Sequence, residues 1–263
     1  MQSSNPALNR SDWGRGARLA TVRDASPDEL QRSYDAPAYV PVRERTMTVD
    51  DVVVRTLAML GLLALTGALT WVGLGDRGYA LALPAAIVGL VLALVIIFRQ
   101  LTNPALILTY AAVEGVVLGA VSRSYDQRFH GIVVQAVIAT AAVFGGMLVA
   151  YRTKMIRATP RFARWLTGAL IGVVALMVIN LVIGLISGGN GLGLRAPTPL
   201  GIGFSLVCIA IAALTFILDF DMVEKGVQAG APERYAWYAA FGIVVGLIWL
   251  YLEILRLLGY ARR

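Results

Sequence analysis

Apolar and polar positions in this chain are segregated into long blocks. Seven apolar runs, roughly Val52–Leu74, Tyr79–Phe98, Ala105–Val121, Ile132–Ala150, Trp165–Ile186, Leu200–Leu218 and Ala236–Leu258, are separated by short polar connections. Each has 17 to 23 residues, the length a helix needs to cross ~30 Å of hydrocarbon at a rise of 1.5 Å per residue. Unpaired backbone groups are too costly in lipid, so such runs must be helices. The pattern predicts an all-α membrane protein: a seven-transmembrane-helix bundle over residues 51–263. Residues 1–50 are polar, contain Pro27, Pro37 and Pro41, and show no sustained apolar period. They read as a disordered N-terminal tail. No apolar stretch follows a basic start there, so a signal peptide is not expected.

Composition agrees. The chain is 58% hydrophobic and only 15% charged, against about 25% charged for soluble domains. The single cysteine, Cys208, lies in an apolar run, which leaves no disulfide framework or zinc-type site. The one histidine, His130, leaves little for histidine-based catalysis. The basic residues are almost all arginine, with Lys154 and Lys225 the two lysines. Together with the Ala/Gly richness this points to a GC-rich bacterial genome.

The net charge of +7 lies wholly in the membrane part, because the tail carries seven Arg and seven acids. The remaining basic residues sit in short loops between apolar spans, so no nucleic-acid partner is expected. One set of connections holds Arg43, Arg45, Arg99, Arg152, Lys154, Arg157, Arg161, Arg164, Lys225 and Arg234; the other holds Arg77, Arg123, Arg128, Arg195, Arg262 and Arg263. Basic residues favour the cytoplasmic side. The expected location is therefore the bacterial plasma (inner) membrane, with the N-terminus cytoplasmic and the C-terminus outside. Small residues at four-residue spacing, Gly115/Gly119, Gly168/Gly172 and Gly242/Gly246, predict close helix packing. The glycine-rich stretch 187–193 lacks the preceding strand and the lysine of a phosphate-binding loop, and reads as a flexible outer turn.

The chemistry sits in acids that cannot easily reach water. Asp76 and Asp126 are expected in loops and Asp51 at the start of the first span, which leaves Glu114, Asp219, Asp221 and Glu253. A charged acid at a helix centre costs about 2.5–3.5 kcal/mol on insertion scales. Each must face the interior, find a partner or hold a proton. Counting along the runs places Glu114 near mid-membrane, Asp219 near the inner end of the sixth span and Glu253 nearer the outer end of the seventh. Asp221 can pair with Lys225 four residues on. That leaves Asp219 facing the core, with Arg99, at the end of the second span, as its counter-charge; Arg256 is one turn from Glu253. Burial raises a carboxylate's pKa and a nearby Arg lowers it, so an acid between the two effects can titrate in a physiological range. An ionised acid can attract a cation, and oxygen ligands suit Ca²⁺, which makes Asp219 a candidate metal ligand.

Three stretches together resemble the Bax inhibitor-1 (transmembrane Bax inhibitor motif) family, in its bacterial branch: Tyr110-Ala-Ala-Val-Glu-Gly-Val-Val-Leu-Gly119, Phe216-Ile-Leu-Asp-Phe-Asp221 and Leu250-Tyr-Leu-Glu-Ile-Leu255. The resemblance covers about residues 50–258. It implies a central helix surrounded by the others, a pH-sensitive Ca²⁺ leak, and a sensor made of acids on the sixth and seventh helices with an Arg near the end of the second. Asp219 falls on the sixth-helix acid and Arg99 near that Arg. Matching Leu-Tyr-Leu-Glu makes Glu253 the second acid but requires extra residues before it; aligning helix ends without them puts Gly246 there. A set of Asp219, Arg99 and Glu114 is the alternative.

The first functional expectation is therefore a pH-sensitive leak for Ca²⁺ or another cation, with no cofactor. The second is a non-transporting regulator or scaffold that binds another membrane protein, in keeping with the long tail and the small-residue faces. An enzyme is not expected. An aspartyl protease needs two apposed carboxylates, and no second acid here comes in a glycine-rich context of that kind. A serine protease wants a base, and His130 lies in a loop.

Overall fold

The computed structural model describes residues 45–74, 78–187 and 191–262. Most of the expected tail, residues 1–44, and part of the glycine-rich turn, residues 188–190, lie outside the described residues. The helices are α1 (Val49–Leu69), continued by a π-helical turn (Thr70–Leu74), α2 (Gly78–Arg99), α3 (Pro104–Arg128), α4 (Ile132–Arg152), α5 (Pro160–Ser187), α6 (Pro199–Gln228) and α7 (Tyr235–Ala261). Among the described residues, seven helices are long and apolar enough to cross a membrane.

Local signals explain the starts. Thr48 caps α1, and Asp51 returns the bond to the Thr48 backbone N–H (2.9 Å), which forms a capping box. α3 and α6 each begin with Pro in the first turn behind a capping side chain, Asn103 and Thr198. The ends overrun the apolar runs. α6 continues to Gln228, nine residues past Asp219, and α3 continues to Arg128, which places Asp126 in a helix and not in a loop. In both cases helical hydrogen bonding outlasts hydropathy, because the added turns lie at a polar rim, α3 at one end of the bundle and α6 at the other.

α7 packs against α1, α3, α4 and α6, while α5 packs on α6 alone and α2 on α3 and the π-turn alone. The core follows α7: Ala240, Val244, Leu250 and Leu255 are fully buried against Phe216, Met59, Ile107 and Ile132. α3 meets α1 through a glycine seam. A Cβ on Gly115 would lie 1.9 Å from Thr66 Oγ1 and 2.4 Å from the Leu63 carbonyl oxygen; one on Gly119 would lie 2.4 Å from the Gly67 carbonyl oxygen. Gly168 and Gly172, by contrast, have nothing within 4 Å. The expected small-residue packing holds for the first pair and not for the α5 pair.

Residues 45–48, expected in the tail, are tied to the α6–α7 turn. Thr46 bridges Pro232, the Met47 N–H donates to the Ala231 carbonyl oxygen (2.8 Å), and the Glu233 N–H donates to that of Arg45 (2.8 Å). Met47 is buried there. Arg55 of α1 clamps the same turn, at 2.6 Å from Glu233 Oε1 and 2.8 Å from the Glu233 carbonyl oxygen. The described end of the glycine-rich turn is docked as well: the Leu192 N–H donates to Asn180 Oδ1 (2.9 Å), and Gly191, at φ +62°, sits where a Cβ would meet the Asn180 carbonyl oxygen.

Candidate functional site

α6 and α7 run antiparallel in a register read from two close approaches. Asp219 Oδ1 lies 3.6 Å from the Cβ position of Gly242, and the Phe216 ring 2.9 Å from that of Gly246. Cys208 lies within electrostatic reach of Glu253. Glycine at 242 lets the α7 backbone come up to the Asp219 side chain. Asp219 is half-buried and has neither a hydrogen bond nor an ion pair among the described residues.

The other expected residues separate from it. Gly242 and Glu253 are eleven residues apart on α7, about 16 Å at the helical rise. Asp219 and Glu253 therefore form no two-acid pair. Glu253 is 1% exposed, and both its oxygens lie 2.7 Å from Arg256 Nη1. Its counter-charge is one turn away on its own helix. Asp221 points to the rim and pairs with Lys225 at 2.6 Å, as the four-residue spacing implies.

Arg99 is not the counter-charge of Asp219. It is exposed and makes no ion pair among the described residues. The physical reason is the packing: α2 rests on α3 and the π-turn and never meets α6. A shared end of the bundle does not bring the two side chains together. A resident metal at Asp219 is not built either. Among the described residues no three His, Cys, Asp or Glu side chains gather closely enough to hold an ion.

Glu114 lies about halfway along α3 and faces α2: its Oε1 is 2.5 Å from where a Cβ on Gly89 would stand. It too has no hydrogen bond or ion pair among the described residues. Tyr110, one turn before it, is buried and meets Phe241 edge-on at 5.0 Å between centroids. Phe241 is the neighbour of Gly242, so one aromatic contact lies between the Glu114 helix and the Asp219 contact point. Phe144, Phe216 and Phe220 form an aromatic cluster on the Asp219 helix and α4.

Sequence reading passed over Glu224. It accepts hydrogen bonds from the Tyr151 hydroxyl and from Gln228 Nε2. Its signal was visible in part: it stands in the polar turns that follow the sixth apolar run, three residues past Asp221. Arg195, expected only as a loop charge, stands beside the Glu253–Arg256 pair.

A cleft of about 830 Å³ opens between α1 and α4 with α7 as its floor. None of the acids lines it. Its hydroxyls are already engaged: Thr56 and Thr140 with their own helix carbonyls, Ser122 with Tyr251.

Comparison with protein families matches residues 5–263 to the family described as Bax inhibitor 1 like. No curated protein matches the chain.

Proposed function

We propose, from the premise that this chain belongs to the Bax inhibitor 1 like family, that it is a pH-sensitive leak for Ca²⁺ or another cation. One observation carries the reading: Asp219, on a membrane span and against the α7 backbone, has no basic partner among the described residues. A carboxylate so placed is costly when bare. It takes a proton or a cation, and the competition between the two is the pH sensitivity. Glu114 is likewise unpartnered among the described residues and stands on the helix that carries α2. Glu253 is neutralised by Arg256 and serves as a structural tie. The Asp219 gate thus works without the arginine that the family resemblance led us to expect. Ca²⁺ is cargo in this reading, the protein needs no cofactor, and it catalyses no reaction. The bilayer is its surroundings, a bacterial plasma membrane with the Arg152–Arg164 end of the bundle inside.

The test is flux. Purified protein in liposomes with an internal Ca²⁺ indicator should pass Ca²⁺ at a rate that varies with pH. Asp219→Asn should hold one rate across that range, the rate of the protonated wild type. Flux equal to that of empty liposomes at every pH ends the proposal.

A second reading, a non-transporting regulator bound to another membrane protein, has its own support. The lead-in to α1 is bonded to the α6–α7 turn, so a partner gripping the tail would pull on the Asp219 helix. A stoichiometric crosslinked partner, lost on deletion of residues 1–44, with no flux in liposomes, would favour it.

A further inference from the structure

The charges at the other end of α7 do not balance. Glu253 is the only carboxylate in the cluster among the described residues, and Arg256 has already taken both its oxygens. Arg195, from the connection between α5 and α6, is brought to the same place. The Tyr260 hydroxyl donates to the Arg195 carbonyl oxygen at 2.8 Å. The Arg195 guanidinium is close enough to be repelled by Arg256 and attracted by Glu253. Yet it makes no hydrogen bond or ion pair with any described residue, and it stays exposed. The other titratable groups around it, Cys208 and Tyr260, are neutral at pH 7 by their ordinary values. The cluster therefore carries two guanidiniums on one carboxylate.

A second observation comes from α6. Ser205, one turn before Cys208 and on the same face, is completely buried, and its Oγ has no hydrogen-bond partner. Buried hydroxyls are nearly always paired, and an exception asks for a missing partner. Cys208 is the α6 residue within electrostatic reach of Glu253, Arg256 and Arg195, so this unspent hydroxyl stands one turn from the surplus positive charge.

We infer that this end of the bundle holds a phosphate-class anion between Arg195 and Arg256, with Ser205 as the nearby hydroxyl. The guanidinium fork fits two phosphate oxygens at once, and such charge-assisted bonds are the strong ones. Arg256 lies five residues, about 7.5 Å, from the end of a membrane-spanning helix. A guanidinium near the end of a membrane-spanning helix can reach out to a phospholipid phosphate, and free phosphate offers the same oxygens. The inference does not depend on the leak reading.

The full-length protein, Arg195→Gln and the control Arg161→Gln (an exposed arginine at the opposite end) are purified in neutral detergent. They come from membranes of phosphatidylcholine with phosphatidylglycerol. Native mass spectrometry counts retained lipid, and calorimetry measures binding of inorganic phosphate. Wild type and Arg161→Gln should retain phosphatidylglycerol, and Arg195→Gln should lose about tenfold or more in affinity. Its unfolding temperature should be unchanged. Phosphate binding that depends on Arg195, without lipid retention, assigns the site to the free anion. Retention and phosphate binding equal in Arg195→Gln and wild type, or absent from both, overturns the inference.

Discussion

Glu253→Gln is the sharpest test of how α7 is held. The wild-type carboxylate is 1% exposed and meets Arg256, itself only 13% exposed, through two contacts of 2.7 Å. The neutral amide keeps the shape and removes the charge. It leaves a guanidinium in a dry site, next to Arg195, which also carries positive charge. Removing one partner of a buried ion pair costs about 3–5 kcal/mol, because the remaining charge is uncompensated. Arg256→Gln should cost less, by about 1 kcal/mol or more, since Arg195 stands ready to replace the lost partner. Removing both charges should be nearly harmless: a buried pair exchanged for neutral groups of similar volume is often close to neutral. The four proteins form a double-mutant cycle, read by unfolding in one detergent with tryptophan fluorescence. These costs imply a favourable coupling of about 5 kcal/mol or more between the two positions. Single mutants that each lose under about 1 kcal/mol and simply add would refute the picture of a buried tie. They would return Glu253 to the list of free acids.

Other outcomes follow from the packing. Gly115→Ala drives a methyl into Thr66 and the Leu63 carbonyl oxygen; it should destabilise by about 1–3 kcal/mol or more. Gly168→Ala, with open space around it, should be neutral or gain up to about 1 kcal/mol, both read as shifts in unfolding temperature. Phe216→Ala empties the fully buried ring that seats Gly246, for a loss of about 3–5 kcal/mol in the same assay. Glu233→Ala removes the acid that Arg55 clamps. Protease sensitivity near residue 45 should rise, while the core unfolds within about 1 kcal/mol of wild type.

The seven crossings were legible because hydrocarbon thickness and backbone pairing leave a run of twenty apolar residues one option. Helix ends were less so. Hydropathy stops where the polar rim begins, but α6 keeps its hydrogen bonds to Gln228, so Asp219 lies well inside a helix and not at its end. Which acids matter chemically was half legible. Asp221 and Lys225, and Glu253 and Arg256, share a helix, and their spacing alone brings each pair together. The pairing of Asp219 with Arg99 required knowing that α2 touches α6, and interhelical neighbours are not written in hydropathy. The packing of α2 on α3 and the π-turn removed that arginine. Gly242 beside Asp219 and Gly89 beside Glu114 carry their information only as a pair with the acid they admit. Each was read in advance as a packing residue or passed over, because the facing helix decides what a missing side chain makes room for.

The measurement that bears most directly on the account is Ca²⁺ flux through reconstituted protein across a range of pH, wild type beside Asp219→Asn. The account predicts a wild-type rate that changes with pH and a variant rate that does not, fixed at the wild type's low-pH level. A variant that titrates like the wild type would contradict it and move the proton-binding group to some other side chain.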